Sequence, residues 1–269
     1  MNSKTVISFS FVFYRIRYNS LPNPLTRCVV SSRLDQRTPT MNRDDIRSDP
    51  AIQKTRERVA RIGRMLFERR LTDAAGGNLS ERVGELVCIS PRYSGSHRQW
   101  QLDPEDVLVV NLDGEVLDGD GTISRESKVH LSLHREFGEH GVGVIHAHAR
   151  NLLVFAAAEQ PMPPVLEATR KFGVTPVVGY APAHSKVLAQ NVVASMRGRE
   201  KRISGHAAGT IAPWHGLFLM GRDLYAAFDA VERLDNNAYI IIQSRALGAS
   251  PMMEAERARM EHVISSFTE

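Results

Sequence analysis

Apolar positions recur along the chain with two different periods. In AIQKTRERVARIGRMLFERRL, Ile52, Val59, Ile62, Leu66 and Phe67 fall at helical spacing behind Asp49-Pro50, which predicts an amphipathic helix. AAGGNLSERVGELVCIS turns through Gly76-Gly77 and reads as two short strands about Gly84. VLVVNLDGEVL is a hairpin with Asp113-Gly114 at its turn. ESKVHLSLHREFGEHG returns to the helical period and is expected to end at Gly141; VGVIHAH is a buried strand, and LLVFAAAE a helix after it. Beyond Pro161, Pro163 and Pro164, VTPVVGY reads as a strand and SKVLAQNVVASMRG as a helix closed by Gly198. GLFLMG is a strand and DLYAAFDAVERLDNNAYIIIQSRAL a long helix, and the polar tail 248–269 continues as a loosely attached helix. Strands and helices mix without strict βαβ alternation. The expected class is therefore α/β of the α+β type, with a central, mainly antiparallel sheet and helices on its faces.

Composition narrows this little, but charge does more. The 269 residues are 42% hydrophobic and 24% charged, which fits a globular chain with a real core. No apolar run reaches the roughly 18 residues of a membrane span, so no membrane partner is expected. Residues 1–40 hold six Lys/Arg against the single acid Asp35, whereas the rest of the chain is close to neutral. The basic pI of 9.2 thus comes from the arm, and a nucleic-acid surface on the body gains no support.

Residues 1–40 are read as a basic, disordered extension outside the fold, and 41–269 as one catalytic domain with its core at about 50–247. The arm is Ser- and Arg-rich, like an organellar presequence, yet lacks a clear amphipathic period; a start placed upstream of Met41 explains it equally well. Cys28 and Cys88 give neither a disulfide framework nor a Cys-rich zinc site, so a reducing cytoplasm is the expected compartment.

Three segments carry candidate chemistry. In VIHAHARNL, His146 and His148 stand at i and i+2 of a strand and so project from one face, as two ligands of one metal must. Two buried, hydrogen-bonded histidines are the bland alternative. His215, before Gly216 at the head of GLFLMG, is the candidate third ligand; three neutral imidazoles with an open position make a catalytic zinc site. His130 and His134 share a helix face at i, i+4 but lack the Glu of a His-Glu-x-x-His motif. His97, His140, His184, His206 and His262 lie in polar or turn-like contexts that suit solvated or capping roles. In AAGGNLSER, the paired glycines allow main-chain N–H groups to turn toward an anion, although such a stretch is also an ordinary turn. In ISRESKVH, Ser124 suits an N-cap and Glu126 suits the helix dipole.

Taken in chain order, these segments resemble the class II aldolase/adducin family. Gly-Gly-Asn-Leu-Ser at 76–80, Ser-x-Glu at 124–126, His-x-His at 146–148 and His-Gly at 215–216 occur in the family's order, and the likeness covers roughly residues 50–247. The resemblance implies a three-layer α/β/α sandwich, and a homotetramer with sites at subunit boundaries. It implies that His146, His148 and His215 bind Zn2+, with Mn2+, Co2+ and Fe2+ as the other compatible ions. It also implies that Glu126 transfers the proton and that Gly77, Asn78 and Ser124 hold a substrate phosphate. The implied activity is that of an aldehyde-lyase cleaving a ketose phosphate through a zinc-stabilised enediolate.

Several positions depart from the family pattern. Ala75 replaces the usual hydroxyl residue of the phosphate loop. Arg125 stands where phosphate aldolases often have Ser, and could meet phosphate or a substrate carboxylate, or simply be solvated. SPRYSGSHRQW is longer than the usual loop, so Ser94 and Gly95 are only loosely matched to phosphate. Glu167 falls near the expected place of a catalytic tyrosine. The family alternatives are a 4-epimerase, which would carry Asp at 126, a dehydratase and a decarboxylase; outside enzymes, an adducin-like binding module remains.

Overall fold

The computed structural model describes residues 41–248 and 254–266; the expected disordered arm lies outside the described residues. Chain order begins with the helices α1 (Arg43–Ser48) and α2 (Pro50–Glu68) and the strands β1 (Asn78–Val83), β2 (Leu86–Ile89), β3 (Leu108–Asn111) and β4 (Val116–Asp118). It continues through α3 (Ser127–Phe137), β5 (Gly143–Ala147), α4 (Leu152–Ala157), α5 (Lys186–Met196) and α6 (Glu200–Gly205). The strands β6 (Ala207–Ala212) and β7 (Gly216–Gly221) and the helices α7 (Leu224–Ala246) and α8 (Glu254–Ser266) complete it.

Among the described residues, seven strands form one sheet in the order β4-β3-β2-β1-β5-β7-β6, and every neighbouring pair is antiparallel. The period of two sorts side chains to its faces. Leu79, Cys88, Val109, Ile145 and Leu219 pack with α2, α4 and α7 on one side. Val144, Phe218 and Met220 pack with α3, α5 and α6 on the other, and Leu131 of α3 closes over Val87, Ile89 and Val110. The result is the three-layer α/β/α sandwich that the sequence resemblance implies.

Local rules explain most elements. Asp49 caps α2 by accepting from the N–H groups of Ala51 and Ile52, with Pro50 at the first helical position, where its missing donor is not needed. Gly84 (φ 57°) and Gly114 (φ 88°) supply the left-handed residues of the β1–β2 and β3–β4 turns.

Three expectations are corrected. The stretch 174–180 is not a strand of the sheet: Pro176 lacks a ladder donor, and the segment makes only isolated bridges, Met162 with Thr175 and Val177 with Ile211. The residues ahead of the Pro213–His215 loop, given no element in the reading of the sequence, form β6. Helix α3 stops at Phe137 rather than at Gly141, where Arg82 Nη1 donates to the His134 carbonyl at 3.0 Å in place of a further helical bond.

Candidate metal centre

His146 is the penultimate residue of β5, on the sheet face that looks toward α3. Its ring is buried and stacks on Phe218 at 4.2 Å, and its Nδ1 lies 2.9 Å from the Leu217 carbonyl oxygen. A carbonyl only accepts, so Nδ1 carries the proton and Nε2 keeps its lone pair for the cleft. His148, two residues on, turns Nε2 to within 3.2 Å of His146 Nε2. Its other nitrogen lies 3.3 Å from Asp73 Oδ1.

His215 arrives from the opposite strand pair. Ala212 and Gly216 are paired residues of β6 and β7, and Pro213-Trp214-His215 is the loop between them, with Trp214 left-handed at φ 55°. This sharp hairpin swings the His215 ring to 4.7 Å from His146 and 5.8 Å from His148, centroid to centroid.

One nitrogen from each of the three rings lies within 4.8 Å of the others. Tetrahedral ligation at about 2.0–2.1 Å puts neighbouring nitrogens roughly 3.3 Å apart, so the His146–His148 spacing already suits a shared ion. Burial, then repulsion from its two neighbours, pushes His146 well below the usual imidazole range; burial and His148 bring His215 down to about 4. Neutral rings with free lone pairs are what a divalent cation requires. The backbone makes room for them. A β-carbon on Gly76 would sit 2.0 Å from His148 Cε1, and one on Gly216 only 2.6 Å from the Ala147 oxygen. The three residues fit a metal.

Glu126 sits at the head of α3, 4% exposed, with Oε1 3.6 Å from His215 Nε2. Burial raises its carboxyl to about 6, opposed by the His184 N–H and by Arg125 and Lys128. Its second oxygen, Oε2, is buried without a hydrogen-bond partner.

The remaining predicted residues line the same cleft, about 650 Å³ of empty space including its open mouth. Asn78 Nδ2 donates to Ser124 Oγ at 3.0 Å, while Asn78 Oδ1 is buried and unpaired. A half-turn of the amide would let the Ser124 hydroxyl donate to Oδ1 and present the NH2 group to an anion. Gly77 is left-handed at φ 90°, and Arg125 is exposed at the rim. The anion nest is narrower than the sequence implied, because the N–H groups of Ala75 and Gly76 are both taken by Asp73 Oδ1 at 2.9 Å. Ser94 and Gly95 reach the cleft despite the long loop.

His130 and His134 do not reach the metal centre. Both are fully buried on the inner side of α3, bonded to Ser80 Oγ at 2.7 and 2.8 Å. Glu167 is exposed on a 3-10 turn (Glu167–Phe172) and does not line the cleft. Three residues at the site escaped sequence reasoning: Asp73, behind His148, and Arg92 and His184, which line the cleft. Asp73 and Arg92 carry no signal beyond turn composition. His184, expected to be solvated or capping, instead places Nδ1 2.7 Å from Glu126 Oε1.

Comparison with known proteins gives the family and the fold. The family model described as "Class II Aldolase and Adducin N-terminal domain" matches residues 57–242. The 5-deoxy-D-ribulose 1-phosphate aldolase of Bacillus thuringiensis is 29% identical over 80% of this chain and 96% of its own. The 3-oxo-tetronate 4-phosphate decarboxylase of Pectobacterium atrosepticum is 27% identical over 70% of this chain and 84% of its own. Among solved structures, an L-fuculose 1-phosphate aldolase superposes with a TM-score of 0.67 at 24% identity, covering 79% of this chain and 96% of that one, a likeness of fold.

Proposed function

The chain belongs to the class II aldolase and adducin family, and from that premise we propose that it is a zinc-dependent aldehyde-lyase that cleaves a ketose 1-phosphate by a retro-aldol reaction. The observation that carries the proposal is the buried carboxylate of Glu126 set beside three convergent imidazoles. A binding module has no use for a desolvated acid at a metal-ligand cluster, whereas proton transfer next to a cation needs one.

His146, His148 and His215 would hold the ion, whose chemistry is that of a Lewis acid for the negative charge that develops as the carbon–carbon bond breaks. Glu126 would take the proton of the hydroxyl on the carbon that becomes the aldehyde as the carbon–carbon bond breaks, and return it to the enediolate carbon through Oε2, the oxygen left free. Asn78, Ser124 and Gly77 hold the phosphate, which fixes the scissile bond against the cation and the base. Only three histidines and no cysteine form the set, and that all-nitrogen donor chemistry favours Zn2+ over harder ions. In this proposal the chain assembles as a homotetramer. Exposed Trp214, in the loop with His215, and Tyr180, from the segment before α5, have ring centroids 5.0 Å apart and offer an apolar surface for a neighbouring subunit.

A second reading has support of its own. Arg92 and Arg125 both line the cleft, and two guanidinium groups suit a substrate that carries a carboxylate as well as a phosphate. That would be a decarboxylase substrate, as the name of the Pectobacterium relative describes.

The test is a screen of five- and six-carbon ketose 1-phosphates, 5-deoxy-D-ribulose 1-phosphate and L-fuculose 1-phosphate among them, for dihydroxyacetone phosphate release by zinc-loaded protein. Carbon dioxide release from a 3-oxo acid phosphate, with no dihydroxyacetone phosphate from any ketose, would decide for the decarboxylase.

A further inference from the structure

His184 is held in a conformation that ordinary loop residues avoid. Its φ is 67°, a left-handed value that L side chains rarely adopt and that Gly or Asn takes at little cost. Nothing about the segment is loose. Lys128 Nζ donates to the His184 carbonyl at 3.0 Å, Ser185 N donates to the Pro182 carbonyl at 3.2 Å, and Ser185 Oγ caps α5 by accepting from Leu188 N at 3.0 Å.

That conformation turns two groups of one residue onto one atom. The His184 N–H donates to Glu126 Oε1 at 3.2 Å, and the ring nitrogen Nδ1 lies 2.7 Å from the same oxygen. Oε1 is therefore hydrogen-bonded by the His184 main chain and in close contact with its ring, whose Nδ1 is not aligned as a hydrogen bond, while Oε2 is left buried and unpartnered. A turn needing only its backbone would be served by glycine. Keeping a β-carbon and an imidazole here costs conformational energy, and strain of this kind persists where the surroundings impose it, often at functional sites.

We propose that His184 is the positioning residue for Glu126: it clamps Oε1 from the wall of the cleft, so that Oε2 alone is presented to the substrate carbon. The inference rests on Glu126 being the proton-transfer group, and it adds a residue from the loop between the 3-10 turn and α5 to the machinery. His184 acts through Glu126 and need not touch the substrate.

The half-reaction with dihydroxyacetone phosphate tests this without knowledge of the aldehyde partner. Glu126 removes a C–H proton beside the carbonyl, that proton exchanges with solvent, and a deuteron from D2O returns to the same carbon, which NMR reads directly. Zinc-loaded wild type, His184→Gly, His184→Asn and Glu126→Gln are compared for exchange rate, half-saturation, zinc content and Tm.

His184→Gly keeps the N–H, loses the ring and relieves the backbone. Its exchange at saturation should be slower by about tenfold or more, with half-saturation within about twofold, zinc content unchanged and Tm equal or higher. His184→Asn, which tolerates the same φ and keeps a side-chain donor, should recover part of the rate. A Gly variant within about twofold of the wild-type rate overturns the proposal. So does one that loses Tm or zinc along with rate, since the role would then be structural. Wild type that binds zinc but exchanges nothing, or Glu126→Gln that exchanges at full speed, sinks the aldolase reading and this inference with it. A slow Glu126→Gln beside an unimpaired His184→Gly sinks the inference alone.

Discussion

Asn78 and His146 stand opposite each other in the β1–β5 ladder. Side chains of paired residues share a sheet face, so the phosphate candidate and a metal-ligand candidate are set side by side by strand register alone. Ser124, at the approach to α3, then reaches Asn78 across that face.

This adjacency predicts a clean division of roles. Asn78→Ala should raise KM for a phosphorylated substrate by about tenfold or more while leaving zinc content intact, because it removes binding to the remote end of the substrate. Steady-state kinetics with metal analysis on the same samples checks it. Loss of zinc together with activity would instead make Asn78 part of the metal cradle.

Gly76 gives a second, steric test. Its missing β-carbon would overlap the His148 ring, so Gly76→Ala must either turn that ligand away or shift the loop. Zinc affinity should fall by about 100-fold or more, read by competition with a chromophoric chelator. Gly205→Ala serves as the control, since nothing lies within 4 Å of a β-carbon there.

Asp73 orients the same ring from behind. Its Oδ1 also accepts from Ala75 and Gly76, so Asp73→Asn keeps an acceptor for the turn and removes the negative charge facing His148 Nδ1. Zinc binding should weaken by roughly 10- to 100-fold, the scale found for partners behind a ligating histidine. Affinity unchanged in the Asn variant would show that geometry alone, not charge, holds His148.

Much of this site is legible from spacing, and the misses share one cause. His146 and His148 are readable because a strand's period of two makes i and i+2 converge, and Gly216 marks close backbone passage beside His215. Glu126 is legible through its order among the motifs. Asp73, Arg92 and His184 come from turns, where no period links a residue to its neighbours in space; their roles exist only once α3 and the loops fold over β1 and β5. For the same reason Ala207–Ala212 looks irregular as a string of small residues, yet becomes a strand because β7 supplies its partner. VTPVVGY shows the reverse error. Its composition is that of a strand, but Pro176 cannot complete a ladder, so the segment only flanks β6 at Ile211.

Buried histidines predict the response to acid. His130 and His134 share Ser80 Oγ, which has one proton: it donates to one ring, which must be neutral to accept, and accepts an N–H from the other, which full burial also keeps neutral. Burial lowers His130 to about 3; His134 is pushed well below 6.5, again by burial first and then by His130 and Arg82. In the unfolded chain both take up a proton near pH 6.5, whereas the native state does not until far lower pH. Between those limits the unfolded state binds more protons, so stability is complete above about pH 6.5 and falls as pH drops, by about 1.4 kcal/mol per pH unit for each histidine. Urea unfolding of zinc-loaded protein at pH 7.5, 6.5 and 5.5 measures that slope. His134→Gln keeps a hydrogen-bonding partner for Ser80 but cannot titrate, so its stability should fall less steeply, by about one proton's share. Parallel slopes for the variant and the wild type would mean that His134 is protonated in the native state, and the neutral pair on Ser80 would be wrong.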